Sequence, residues 1–166
     1  MTSFTEQTAK IMEAMEQGSG ARAGSLDEHP ANRLAALLGD AEIVFLDADS
    51  PSGATSDGAF VGRVVAMTAD HVAVMDADSA DESKDPARRV SARLWARRTL
   101  DRIDMQGEDM AWGGADERGP IPTGCHVELH YSTGDQMVIP QNVALPTTRR
   151  AVAALLPSLQ DDVALP

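Results

Sequence analysis

Seven of the chain's 14 basic residues fall between positions 84 and 102: Lys84, Arg88, Arg89, Arg93, Arg97, Arg98 and Arg102. Only Asp85 and Asp101 oppose them, so this stretch carries +5; the whole chain carries −12, which leaves −17 for the remainder. Arg93, Trp95 and Arg97 alternate, and on a strand alternate residues share a face. A tryptophan between guanidinium groups can clamp an acidic peptide or stack a base. The plainer reading is that these arginines pair with the chain's own surplus of carboxylates while Trp95 covers a helix. Trp112, in the loop DMAWGGADERG, is either a latch onto the body or a binding anchor. Arg93, Trp95, Arg97, Arg98 and Trp112 are therefore the candidate partner-binding residues.

Other clusters promise less. His126, Glu128 and His130 alternate in HVELH, so all three point one way on a strand. Two imidazoles and a carboxylate suit zinc. Positions 126 and 130 lie ~13 Å apart along an extended strand, however, and one ion reaches both only with distortion or help from another strand. HVELH is also not the helical HExxH motif. The two DADS segments, Asp47–Ser50 and Asp76–Ser79, lack the glycine and glutamate that a calcium loop of the EF-hand type requires. The single cysteine, Cys125, is expected as a small buried residue at a strand start and excludes an intrachain disulfide. No GxSxG, Walker, GxGxxG or CxxC motif occurs. No catalytic residue, metal or cofactor is expected.

The bulk numbers narrow the function classes. The chain has 166 residues, enough for one domain with a real core. A pI near 4.6 disfavours nucleic acid or an anionic membrane as the main partner. Aromatic content is only 4 %, so aliphatic residues, alanine and methionine must build the core. With one cysteine, no 18-residue apolar run and no signal-like opening, the expectation is a cytoplasmic protein. Many Ala, Asp, Arg and Gly residues beside few Lys, Ile and Asn suggest a high-GC bacterial proteome.

The elements that must position these residues centre on GAFVGRVVAMTADHVAVMD, residues 58–76. Apolar residues alternate here with period two, which predicts a hairpin turning at 68–71. Met67 then faces Val72, and Val65 faces Val74. The opposite face carries Val64, Ala66, Ala73 and Met75. A hairpin apolar on both faces needs cover on both. Gly62 predicts a bulge or sharp bend.

Around the hairpin, residues 2–17 read as a helix with Ser3 and Glu6 at capping-box spacing and Phe4, Ile11, Met12 and Met15 on one stripe. The glycine-rich GSGARAG at 18–24 reads as a linker, so this helix is expected to be detached, a tether or self-pairing arm. A second helix is expected from a Ser25/Glu28 capping box, with Pro30 in its first turn, Leu34, Leu37 and Leu38 buried, and Gly39 as stop. Strands are predicted at 42–47, 90–96, 102–106, 125–131 and 136–140. In the second of these, Val90, Ala92, Leu94 and Ala96 form one face; Val127, Leu129 and Tyr131 do so in the fourth. Segments 48–59, 76–86 and 107–124 read as loops. A last helix starts at Thr147, buries Ala151, Val152, Leu155 and Leu156, breaks at Pro157 and frays into an acidic tail from Asp161.

Helices, then a run of strands without βαβ alternation, then a helix indicate α+β. The stretches VSARLWARRTLDRIDM and CHVELHYSTGDQMVIP followed by TTRRAVAALLPSL resemble bacterial pleckstrin-homology-like domains over roughly residues 41–157. That resemblance implies a bent antiparallel sandwich or small barrel whose closing helix plugs one end, and a role in binding with no catalytic residues. An Sm-like or SH3-like barrel shares the order of an N-terminal helix and five strands, and lacks the closing helix.

Taken together, the sequence predicts an N-terminal helix and linker at 1–24, one helix-flanked β-barrel domain at 25–157 and a frayed tail at 158–166. The expected function is non-enzymatic protein binding or scaffolding through the Arg/Trp strand face, with an acidic protein partner or self-association through the first helix. The alternatives are a nucleic-acid-binding barrel and a small-ligand protein or enzyme without a recognisable motif.

Overall fold

The computed structural model describes residues 3–51, 53, 59–78, 90–107, 125–141 and 146–164. The loop assignments at 54–58, 79–86 and 108–124, with Trp112, Lys84, Arg88 and Arg89, lie outside the described residues. The protein is α+β, with α1 (Phe4–Ser19), α2 (His29–Leu38), β1 (Phe45–Asp49), β2 (Gly62–Met67), β3 (His71–Ala77), β4 (Val90–Ala96), β5 (Leu100–Gly107), β6 (Cys125–Tyr131), β7 (Gln136–Ile139) and α3 (Pro146–Ala164). Among the described residues the strands form two antiparallel sheets, ordered β1-β2-β3-β4 and β5-β6-β7, and no closed barrel is found. The chain divides into two compact units, Met1–Trp95 and Ala96–Pro166.

In the first unit the hairpin has the register its alternation predicts: Met67 pairs with Val72 and Val65 with Val74. The Thr68 hydroxyl closes the turn, accepting from the backbone N–H of His71 at 3.0 Å and of Asp70 at 3.3 Å. Both faces of the hairpin are buried. Val64, Ala66, Ala73 and Met75 join Ile11, Met15, Leu34 and Ala35 in one apolar cluster, so α1 and α2 cover that face. Strand β1 begins three residues later than expected, because Phe45 is the first residue to pair, opposite Met67.

Helix α1 is not detached. Ser3 caps it as the spacing predicts, its hydroxyl accepting from the Glu6 N–H at 3.2 Å. Ile11 and Met15 are fully buried, whereas Phe4 is half exposed. The helix runs through Gly18 into the glycine-rich segment, and packs on β1 and α2. Composition suggested a linker here because glycine is also what close packing requires. A Cβ on Gly18 would lie 2.2 Å from the Ala48 carbonyl oxygen. Gly62 is needed for the same reason, since its Cβ would lie 2.0 Å from the Asp49 carbonyl. Helix α2 starts at His29 rather than at Ser25, whose hydroxyl donates to the Arg22 carbonyl at 2.6 Å instead of capping. Leu34 and Leu38 are buried, while Leu37 is exposed.

In the second unit, β6 and β7 pair Val127 with Ile139 and Leu129 with Met137, and all four side chains are buried. A bulge between Leu100 and Arg102 resets β5 against β6. Helix α3 starts at Pro146, one residue before the expected Thr147 cap. It does not break at Pro157; it continues to Ala164. A proline inside a helix costs about 3 kcal/mol, so something must hold the segment beyond it. Val152, Leu155 and Leu159, all buried, span the proline and supply part of that hold.

The docking of α1 makes a prediction with a definite sign. In a detached helix, Gly18→Ala stabilises the helix by up to about 1 kcal/mol. In the docked helix it drives a methyl into the Ala48 carbonyl and costs about 1–3 kcal/mol. Urea unfolding of the variant separates the two, and a gain in stability would contradict the packing.

Candidate functional site

Two surfaces gather the polar side chains that sequence reasoning singled out. The first is β4, the terminal strand of the four-stranded sheet. The apolar cluster under α1 and α2 reaches β4 only at Val90. Beyond it, Ser91, Ala92 and Arg93 are exposed and Leu94 is 39 % exposed. The face of Val90, Ala92, Leu94 and Ala96 is thus not the buried face its alternation suggests, because the helical cover stops short of it. On the other face the Arg93 guanidinium lies 6.0 Å from the Trp95 ring centroid, within cation–π range. Asp76 on β3 joins β2 to β4: Arg63 Nε approaches its Oδ1 at 2.5 Å and Arg93 Nη2 its Oδ2 at 3.6 Å. The result is a row of alternating charge across three strands, ending in a half-buried tryptophan at the sheet margin.

Arg97 does not belong to this face. It opens a single 3-10 turn, Arg97–Thr99, and is 3 % exposed. Its Nη2 donates to Asp162 Oδ2 and to Ser158 Oγ, each at 2.6 Å, and its Nε donates to Asp162 Oδ2 at 2.8 Å. These contacts hold α3 beyond Pro157, so the tail expected to fray at 158–166 is helical through residue 164. Arg98, in the same turn, is exposed.

The second surface is the polar face of β5 and β6. The register sets Arg102 opposite His130, Asp104 opposite Glu128 and Gln106 opposite His126. His130 Nε2 lies 3.0 Å from Asp104 Oδ2 and 3.7 Å from Glu128 Oε1. Arg102 Nε lies 2.9 Å from Asp104 Oδ2, and the Gln106 amide donates to Glu128 Oε2 at 2.6 Å. His126 and His130 do not converge, as strand spacing dictates; it is Asp104, on the neighbouring strand, that completes a group with Glu128 and His130. Alternation in LDRIDMQG put Arg102, Asp104 and Gln106 on one face, but only the pairing register shows which residues they meet. Cys125 is buried at the start of β6, against Gly107.

A groove of about 310 Å³ lies between α1 and β1, walled by Lys10, Glu13, Ala14 and Gln17 on the helix and by Ile43 to Leu46 on the strand side. Among the described residues no helix is long and apolar enough to cross a membrane. No protein-family model matches the chain, and no curated protein matches it.

The role of Arg97 is testable. Removing one member of a buried ion pair leaves the other charge uncompensated and costs about 3–5 kcal/mol. Asp162→Asn is therefore expected to lower stability by about 3 kcal/mol and to reduce helix content, read by circular dichroism during thermal unfolding. A loss below about 0.5 kcal/mol, typical of an exposed pair, would return Arg97 to the surface.

Proposed function

We propose that this protein is a non-enzymatic binding domain that takes an extended, acidic protein segment along the margin of β4. The observation that carries this reading is an exposed strand, terminal in its sheet among the described residues, with Arg93 over the Trp95 ring. A terminal strand offers one row of main-chain donors and acceptors to an added strand, and this supplies affinity without sequence preference. Arg93 and Trp95 then supply the preference: a carboxylate on the incoming segment meets the guanidinium, and its neighbour lies on the indole. Arg63 and Arg93 flank a single carboxylate, Asp76, so an incoming carboxylate meets a locally cationic row. The net charge of −12 on the whole chain repels such a segment from the rest of the surface. Arg97 takes no part, being committed to α3. The same reading takes the two sheets and α3 as a pleckstrin-homology-like bent sandwich. Strands in sequence order within each sheet, and a helix following the last strand, support it.

The test uses a blocked ten-residue peptide alternating glutamate and valine, titrated into the full chain by calorimetry. Saturable binding is expected, with Arg93→Glu weakening it at least about tenfold, or about 1.4 kcal/mol, without a change in melting temperature beyond that of an exposed substitution. Equal affinity for the Arg93→Glu variant, or for a lysine–valine peptide on the unaltered chain, would overturn the assignment.

A further inference from the structure

The polar face of β5 and β6 carries a second inference, independent of the β4 reading. We propose that Asp104, Glu128 and His130 form a binding site for one divalent transition-metal ion of the zinc class. Each offers a ligand atom, and the three atoms lie within 4.8 Å of one another. Zinc bonds of ~2.0–2.1 Å in tetrahedral geometry place neighbouring ligand atoms about 3.3 Å apart. The contacts from His130 Nε2 to Asp104 Oδ2 and to Glu128 Oε1, at 3.0 and 3.7 Å, bracket that spacing. One imidazole nitrogen with two carboxylate oxygens selects a first-row transition ion over magnesium or calcium, which favour oxygen alone. The fourth position is left to water.

Two further features fit a cation here. The first is charge. Asp104 and Glu128 set two carboxylates against the single guanidinium of Arg102, whereas a dication in its place compensates both. The second is orientation. Gln106 holds Glu128 Oε2 at 2.6 Å, which leaves Oε1 as the atom turned toward His130. Outer hydrogen bonds of this kind fix the ligands of metal sites.

Arg102 is the competitor built into the site. Its side chain is 61 % exposed, so it can swing into solvent without burying or stranding its charge, and His130, at 14 %, stays in place. This yields a directional test that an ordinary ion-pair network fails. Zn²⁺ is titrated into the full chain by calorimetry, in excess Mg²⁺ to occupy the many exposed carboxylates. One saturable site is expected. His130→Gln and Asp104→Asn are each expected to weaken binding at least about tenfold, and Gln106→Ala by about tenfold. Arg102→Gln is expected to tighten it several-fold. Circular dichroism verifies that each variant is folded; Arg102 and Gln106 are exposed, and the half-buried Asp104 and His130 are replaced by polar side chains of similar size, so folding is retained. Absence of a saturable site, affinity unchanged in His130→Gln, or affinity not raised in Arg102→Gln would each overturn the proposal.

Discussion

Burial of both faces of the β2–β3 hairpin is the constraint on which the first unit depends. An antiparallel hairpin with only one apolar face can leave the other to water. Here Val64, Ala66, Ala73 and Met75 cannot be left there. The two N-terminal helices are therefore obligatory cover rather than appendages. Gly18 lets α1 approach the Ala48 backbone closely enough to provide that cover. Main-chain contact reinforces the approach, since the Ser50 N–H donates to the Gly18 carbonyl at 3.3 Å. Gln7, fully buried in the same helix, donates to the Ala41 carbonyl at 2.5 Å and so ties α1 to the turn that precedes β1. That cover is incomplete at β4, where Ser91 to Leu94 are exposed.

The second unit solves a different problem. Its terminal helix contains a proline that should end it. Continuation requires contacts on the far side that offset the lost hydrogen bond and the steric clash. Leu159 supplies apolar burial there, and Arg97 reaches Ser158 and Asp162 from the 3-10 turn before β5. A guanidinium that looked like part of a docking face is thus spent on internal structure. The cationic character of β4 among the described residues then rests on Arg93, which shares its partner Asp76 with Arg63 on β2.

Much of this was legible in the sequence where periodicity and turn chemistry agree. The β2–β3 register, the shared face of Val127, Leu129 and Tyr131 and the Ser3 cap follow from alternation and capping rules alone. What was not legible depended on residues with two physical uses. Glycine at position 18 reads as flexibility and acts as close packing. Pro157 reads as a stop and is overridden by contacts from a residue sixty positions away in the chain, roughly the span from Arg97 to Ser158 and Asp162. The grouping of Asp104 with Glu128 and His130 depends on cross-strand register, which a bulge after Leu100 resets and which spacing within either strand does not reveal. Val90, Ala92, Leu94 and Ala96 alternate as a core face would, yet lie where the cover ends.

The central claim is that the margin of β4 is the docking edge of the molecule. Hydrogen–deuterium exchange of the full chain, with and without the glutamate–valine peptide, tests it most directly. Strand addition predicts slowed exchange in residues 91–95, confined to the amides that point away from β3, with β1 unchanged. Protection along β1, or a peptide that binds while β4 exchanges as before, would contradict it.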